Sequence, residues 1–203
     1  MNYYVELTLI ENKKITMYEL WSKIYTQIHL AFVEQKNDVN QIHFGVSLPE
    51  YRFNEKANIG FLGGKLRVFA KTRDELMTLN LAQWLERLAD YVHIQSIKPV
   101  PDEVSGYAIY KRKQIKGESR VQKDRIRFAT SYAQRNHVEL DEAMTLYKNM
   151  KMQEIYLPYI QMLSLTNEQR FKLFIEKQMI ESKSSNQMFT TYGLSVNASV
   201  PEF

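Results

Sequence analysis

The sequence contains no cysteine, which excludes a disulfide framework and any zinc site built on thiolates. No apolar run in it reaches the length that spans a bilayer, so no membrane association is expected. A leader pattern is missing as well. Met1-Asn-Tyr-Tyr opens a strand instead of the charged and apolar regions of a signal peptide, and the expectation is a cytoplasmic protein. What remains is 44% hydrophobic and 25% charged over 203 residues. That is the balance of an ordinary globular protein, long enough for one large domain or two small ones with real cores.

Tyr3 to Ile10 alternates apolar and polar residues and predicts a first strand. Thr16 and Glu19 form a capping box that opens a helix to about Gln35, with Met17, Leu20, Ile24, Ile28 and Ala31 as its core stripe. His29 lies about 130° from the centre of that stripe at 100° per residue, grouped instead with Tyr18, Tyr25 and Phe32. Strands follow over Gln41 to Leu48 and Lys65 to Ala70, joined by a glycine-containing loop over Glu50 to Gly64. Thr72 and Glu75 cap a second helix running to about Ala89, and Tyr91 to Val100 is a fourth strand. The order β-α-β-β-α-β predicts a ferredoxin-like domain over residues 1–98 in an α+β protein. The fold hosts many functions. The aromatic RNA-binding signature is absent from its third strand, where Leu66-Arg67-Val68-Phe69 stands.

Pro99 and Pro101 mark the boundary to a second domain, residues 99–203. Between Lys98 and His137 stand ten Lys or Arg against four acids, while in the remainder 17 basic residues are outnumbered by 19 acidic ones. A basic segment beside a nearly neutral body is the footprint of a polyanion binder. A strand from Gly106 to Ile115 becomes basic at Lys111-Arg112-Lys113, and helices are expected over about 123–136 and 141–151. Arg120 and Gln122, two apart in a segment read as extended, would point the same way and suit base-edge reading. Strands over Tyr156 to Leu165 and Arg170 to Gln178, then Met188 to Tyr192, predict a small C-terminal sheet across which Ser164, Phe171 and Tyr192 could meet.

Helix-borne His29 followed by Leu-Ala-Phe-Val-Glu-Gln, Gly45-Val46-Ser47, Ser119-Arg120-Val121-Gln122, the segment from Ser164 to Ile175, Phe189-Thr-Thr-Tyr192-Gly-Leu-Ser195 and Val200-Pro201 follow one another over nearly the whole chain. In this set the sequence resembles the Csy-type endoribonuclease that processes CRISPR repeats in type I-F systems. The resemblance implies metal-independent cleavage at the 3′ base of a repeat hairpin. The upstream 2′-OH attacks the scissile phosphate, leaving a 2′,3′-cyclic phosphate and a 5′-OH. No cofactor is implied.

On the same resemblance, His29 moves the proton, Ser164 holds the attacking ribose and Tyr192 orients the imidazole. Phe171 stacks on the terminal base pair, and Arg120 and Gln122 read the stem. Lys123, Arg125 and Arg127 of the basic helix grip phosphates, and the charge of the segment before it adds Lys111, Arg112, Lys113 and Lys116 as expected phosphate contacts. Histidine is the side chain whose ordinary pKa suits proton transfer near neutrality. The family's recognition helix is arginine-dense, whereas 128–134 here has no basic residue; the basic surface is therefore expected to shift toward Lys111–Lys116. Implied partners are the repeat hairpin and the other subunits of a type I-F surveillance complex. The competing expectation is a non-catalytic subunit that caps the guide hairpin.

Overall fold

The computed structural model describes residues 1–114, 118–148, 156–164 and 168–203. It mixes helix and strand in two compact units, Met1–Lys113 with Tyr156–Phe203, and Gln114–Ile155. The expected boundary at 98/99 falls inside the first unit, and Lys116 and Leu165 lie outside the described residues.

In the first unit, β1 (Tyr3–Leu9) leads into α1 (Met17–Glu34), which begins where both halves of the capping box form. The Thr16 N–H donates to the Glu19 carboxylate at 3.0 Å and the Glu19 N–H to the Thr16 hydroxyl at 3.4 Å. The expected second strand divides into β2 (Gln41–Ile42) and β3 (Gly45–Ser47), because the two halves pair with different partners. The loop after it contains a small hairpin, β4 (Arg52–Asn54) with β5 (Ile59–Phe61), before β6 (Lys65–Ala70).

The predicted second helix is interrupted. α2 (Arg73–Leu79) stops at Asn80, whose φ of 44° is left-handed, and is followed by α3 (Leu81–Trp84) and a 3₁₀ turn over Glu86–Tyr91. Asparagine tolerates that conformation, so the break costs little while the apolar spacing runs on through it. The fourth strand is likewise two pieces, β7 (Val92–Ile94) and β8 (Lys98–Pro99), each antiparallel to a different stretch of β1. The sheet order is β3-β6-β1-β7, with β8 also on β1.

A second sheet in the same unit has the order β10-β11-β9-β13, from β9 (Gly106–Lys113), β10 (Tyr159–Leu163), β11 (Arg170–Ile180) and β13 (Val200–Glu202). β13 has no counterpart among the predicted strands; its Pro201 lacks an N–H and sits in an edge strand, where none is required. β12 (Phe189–Thr190) pairs with β2 instead of joining this sheet. Tyr192 therefore does not reach Ser164 and Phe171 across one small sheet, as the spacing suggested; it arrives from a turn.

Helix α1 serves both halves of this unit. Leu20, Ile24, Ile28 and Ala31 are buried as the core stripe requires, and Tyr25 and Phe32, from the other stripe, are buried completely. Full burial of a large apolar side chain is worth about 1.5–3 kcal/mol, so the second stripe is a docking face of comparable weight. It meets the C-terminal residues, as β10 packs along α1.

The second unit is a helical pair, α4 (Glu118–Asn136) and α5 (Leu140–Leu146), closed by Val121, Ala129 and Ala143 and by Tyr147 against Phe128 and Tyr132. α4 begins before Arg120, so the extended reading of Arg120 and Gln122 is corrected. On a helix, residues two apart point about 200° away from each other.

Candidate active site

The turn after β12 is built to face α1. Thr190 N–H donates to Leu194 O and Gly193 N–H to Thr190 O, both at 2.8 Å, and Val46 N–H donates to Gly193 O at 3.1 Å. Gly193 has φ 68°, and a Cβ there would lie 2.5 Å from Val46 Cγ1 and 3.0 Å from Phe32 Cε2. Only glycine fits both the conformation and the space. The turn thereby aims two successive carbonyls at the helix. Tyr25 donates its hydroxyl to Tyr192 O at 2.8 Å, and one turn further on His29 Nδ1 lies 2.7 Å from Thr191 O.

A carbonyl can only accept, so Nδ1 carries the proton and neutral His29 presents Nε2 as a bare lone pair. Its ring lies flat on Tyr192, centroids 4.2 Å apart and planes 6° apart. Half-burial disfavours the imidazolium and lowers the pKa; the bond to Thr191 opposes this but is the smaller effect. His29 is thus held neutral, oriented and stacked.

Phe171 meets Tyr192 edge-on, at 6.5 Å and 81°. Above both rings stands the Arg112 guanidinium, 5.3 Å from Phe171 and 5.5 Å from Tyr192. Strand alternation separates Arg112 from Lys111 and Lys113, which point to the opposite face of the sheet. The three consecutive cations are therefore not one cluster. Lys111 donates to Gln178 and Lys113 pairs with Glu176 at 3.5 Å.

Ser164 closes the end of β10, its N–H donating to Gln169 O at 2.9 Å. β10 runs alongside α1 in the same direction: Tyr18 meets Tyr159, and Ser22 donates to Gln161 O at 2.6 Å. Leu163, the last residue of β10, lines one cavity with Ser22 and Thr26 of α1, and Ser164 follows it.

Arg120, Lys123, Arg125 and Arg127 belong to α4 in the second unit; Arg127 reaches buried Asp124 at 3.5 Å. Among the described residues no three His, Asp or Glu side chains group closely enough to hold a metal ion, and no helix is long and apolar enough to cross a membrane. Sequence reasoning missed Thr191 and the anchoring role of Tyr25. Tyr25 had a signal, four residues before His29 on the same stripe; a backbone carbonyl has none.

Compared with known proteins, residues 4–203 match the family model described as CRISPR-associated protein (Cas_Csy4). The chain is similar to the CRISPR-associated endonuclease Cas6/Csy4 of Escherichia coli (strain UTI89 / UPEC), 24% identical with all of both chains covered. It is also similar to the protein of that name from Pseudomonas aeruginosa (strain UCBPP-PA14), 27% identical, again with all of both chains covered. Among solved structures it has a distant likeness to one described as an RAMP protein binding different RNA substrates, with 12% identity, a TM-score of 0.38 and all of both chains covered.

Proposed function

Because the chain belongs to the CRISPR-associated Cas_Csy4 family, we propose that it is an endoribonuclease that binds the CRISPR repeat hairpin and cuts precursor CRISPR RNA at the 3′ base of the stem. The observation that carries this reading is the fixed, neutral His29 stacked on Tyr192, beside Phe171 and Arg112. Nε2 of His29 takes the proton of the ribose 2′-OH. The 2′-oxygen attacks the adjacent phosphorus, the bond to the 5′-oxygen of the next nucleotide breaks, and that oxygen takes a proton from water to leave as a hydroxyl while the His29 imidazolium gives its own proton back to solvent. The products are a 2′,3′-cyclic phosphate and a 5′-OH, and no metal enters the step.

Ser164 holds the ribose in line, which can supply a large share of the rate without further chemistry. The Tyr192 ring keeps the imidazole from turning, and its face stabilises the imidazolium once the proton has moved. Phe171 offers a platform for the terminal base pair, and Arg112 a cation beside it for a phosphate oxygen. Arg120, Gln122, Lys123, Arg125 and Arg127 of α4, with Lys116, supply the remaining contacts to the stem. The order β3-β6-β1-β7 suits a ferredoxin-like domain, and residues 99–203 form the RNA-recognition part. The protein remains on the mature guide with the other subunits of a type I-F surveillance complex, in the cytoplasm.

The test is incubation of the protein and of a His29→Ala variant with its own repeat hairpin in EDTA, resolving the cut position and the 3′ end. Wild type is expected to cut at the 3′ base and leave a cyclic phosphate, and the variant to bind without cutting. Tight binding with no cutting by wild type would overturn catalysis and leave a capping subunit. Loss of cutting in EDTA would overturn the metal-free mechanism.

A further inference from the structure

The outward face of the second sheet, where Tyr18 of α1 meets Tyr159 on the edge strand, carries neither Phe171 nor Arg112. In β11 the inward residues Leu173 and Ile175 are fully buried, so the alternate positions should be polar. Arg170, Lys172, Glu176 and Gln178 comply, and Phe174 does not. Phe174 stands directly across from Tyr159 of β10, their rings 5.2 Å apart at 51°. Lys172 places its ammonium 4.4 Å from the Tyr159 ring. Lys113 lies opposite Phe174, and Lys111 opposite Glu176. Among the described residues of this face the one carboxylate, Glu176, is engaged by Lys113. Arg170 and Lys172 are exposed, and the two rings are half-buried.

A cross-strand aromatic pair stabilises a hairpin by itself, but it does not require four cations around it. Aromatic rings interleaved with cations on an open sheet are what unpaired nucleotides need. Bases stack on the rings while the backbone runs past the charges. Duplex RNA cannot use such a face, since its bases are free only at the stem ends. We propose that this face, centred on Tyr159 and Phe174 with Arg170, Lys172, Lys111 and Lys113, binds single-stranded RNA flanking the hairpin. The inference rests on the proposed RNA-binding function and adds to it a second site on the opposite side of the same sheet. Lys111 and Lys113, which alternation turns away from Arg112, thereby gain a role.

The test compares wild type with Tyr159→Leu/Phe174→Leu by fluorescence anisotropy on three probes: the bare repeat hairpin, the same hairpin with a 5′ extension of about ten uridines, and the oligouridine alone. For wild type the extension is expected to tighten binding about tenfold. The variant should lose that gain while binding the bare hairpin as wild type does, which also shows that it is folded. Arg170→Gln/Lys172→Gln, on exposed side chains, should lose several-fold of the gain at low salt. A wild type that gains nothing, or a double leucine variant that keeps the gain, overturns the proposal and leaves the face to a protein partner. If the bare hairpin is not bound at all, the hairpin reading falls; oligouridine binding that the leucine variant loses would still uphold this face.

Discussion

His29 Nδ1 is committed to Thr191 O, so Nε2 alone can exchange a proton with RNA. Burial favours the neutral ring and sets the folded pKa below the ordinary value of about 6.5. The unfolded chain therefore takes up this proton first as the pH falls. The stability contributed by the neutral ring is complete above about 6.5 and is lost as the pH drops through the folded pKa. Cleavage should follow the same titration. The single-turnover rate on the repeat hairpin is expected to be flat near neutrality and to fall on the acid side with a midpoint below about 6.5; a midpoint above that value would remove neutral His29 as the base. The stack gives a separate expectation. Tyr192→Phe keeps the ring that lies on His29 and should cut within about threefold of wild type, whereas Tyr192→Leu frees the imidazole and should lose about a hundredfold. Equal rates in the two variants would mean that the ring contributes nothing to orientation.

The turn after β12 matters as much as the side chains it carries. Gly193→Ala would force a Cβ to within 2.5 Å of Val46 in a left-handed backbone, so the turn must withdraw from α1 and take the Thr191 and Tyr192 carbonyls with it. A loss of about 2–4 kcal/mol in chemical denaturation is expected, together with a loss of cleavage; a variant of unchanged stability would contradict the packing described. This turn was the part least readable from sequence, because Thr191 acts through a backbone carbonyl and the pairing of β12 with β2 spans most of the chain. Elements with local signals were readable. The Thr16–Glu19 box starts α1, Lys65–Ala70 forms β6 at its expected bounds, and the alternation of β11 buries Leu173 and Ile175. The grouping of His29 with Tyr25 and Phe32 was also visible as a stripe. The break at Asn80 was hidden because apolar periodicity continues through it, and β13 because three residues around a proline make no pattern. Arg120 and Gln122 misled because a short polar stretch has no apolar period to tell helix from strand.

On the proposed function, the cations of α4 in the second unit hold the stem and the residues around His29 in the first unit cut it. The net charge is +4, and α4 of the second unit carries Arg120, Lys123, Arg125, Arg127 and Arg135, while His29, Tyr192, Phe171 and Arg112 all lie in the first. Each phosphate neutralised on a duplex contributes about 0.9 to the slope of log affinity against log salt. Arg120→Gln/Lys123→Gln should therefore reduce that slope by about two for the repeat hairpin, and leave the cleavage rate of the fully bound hairpin near the wild-type value. His29→Ala should do the reverse, abolishing cleavage at an unchanged slope. Anisotropy titrations across a salt series, paired with single-turnover cleavage at saturating protein, measure both quantities on the same variants. If the α4 variant also slows the bound hairpin by an order of magnitude or more, those cations help to place the scissile phosphate, and the division of labour between the two units fails.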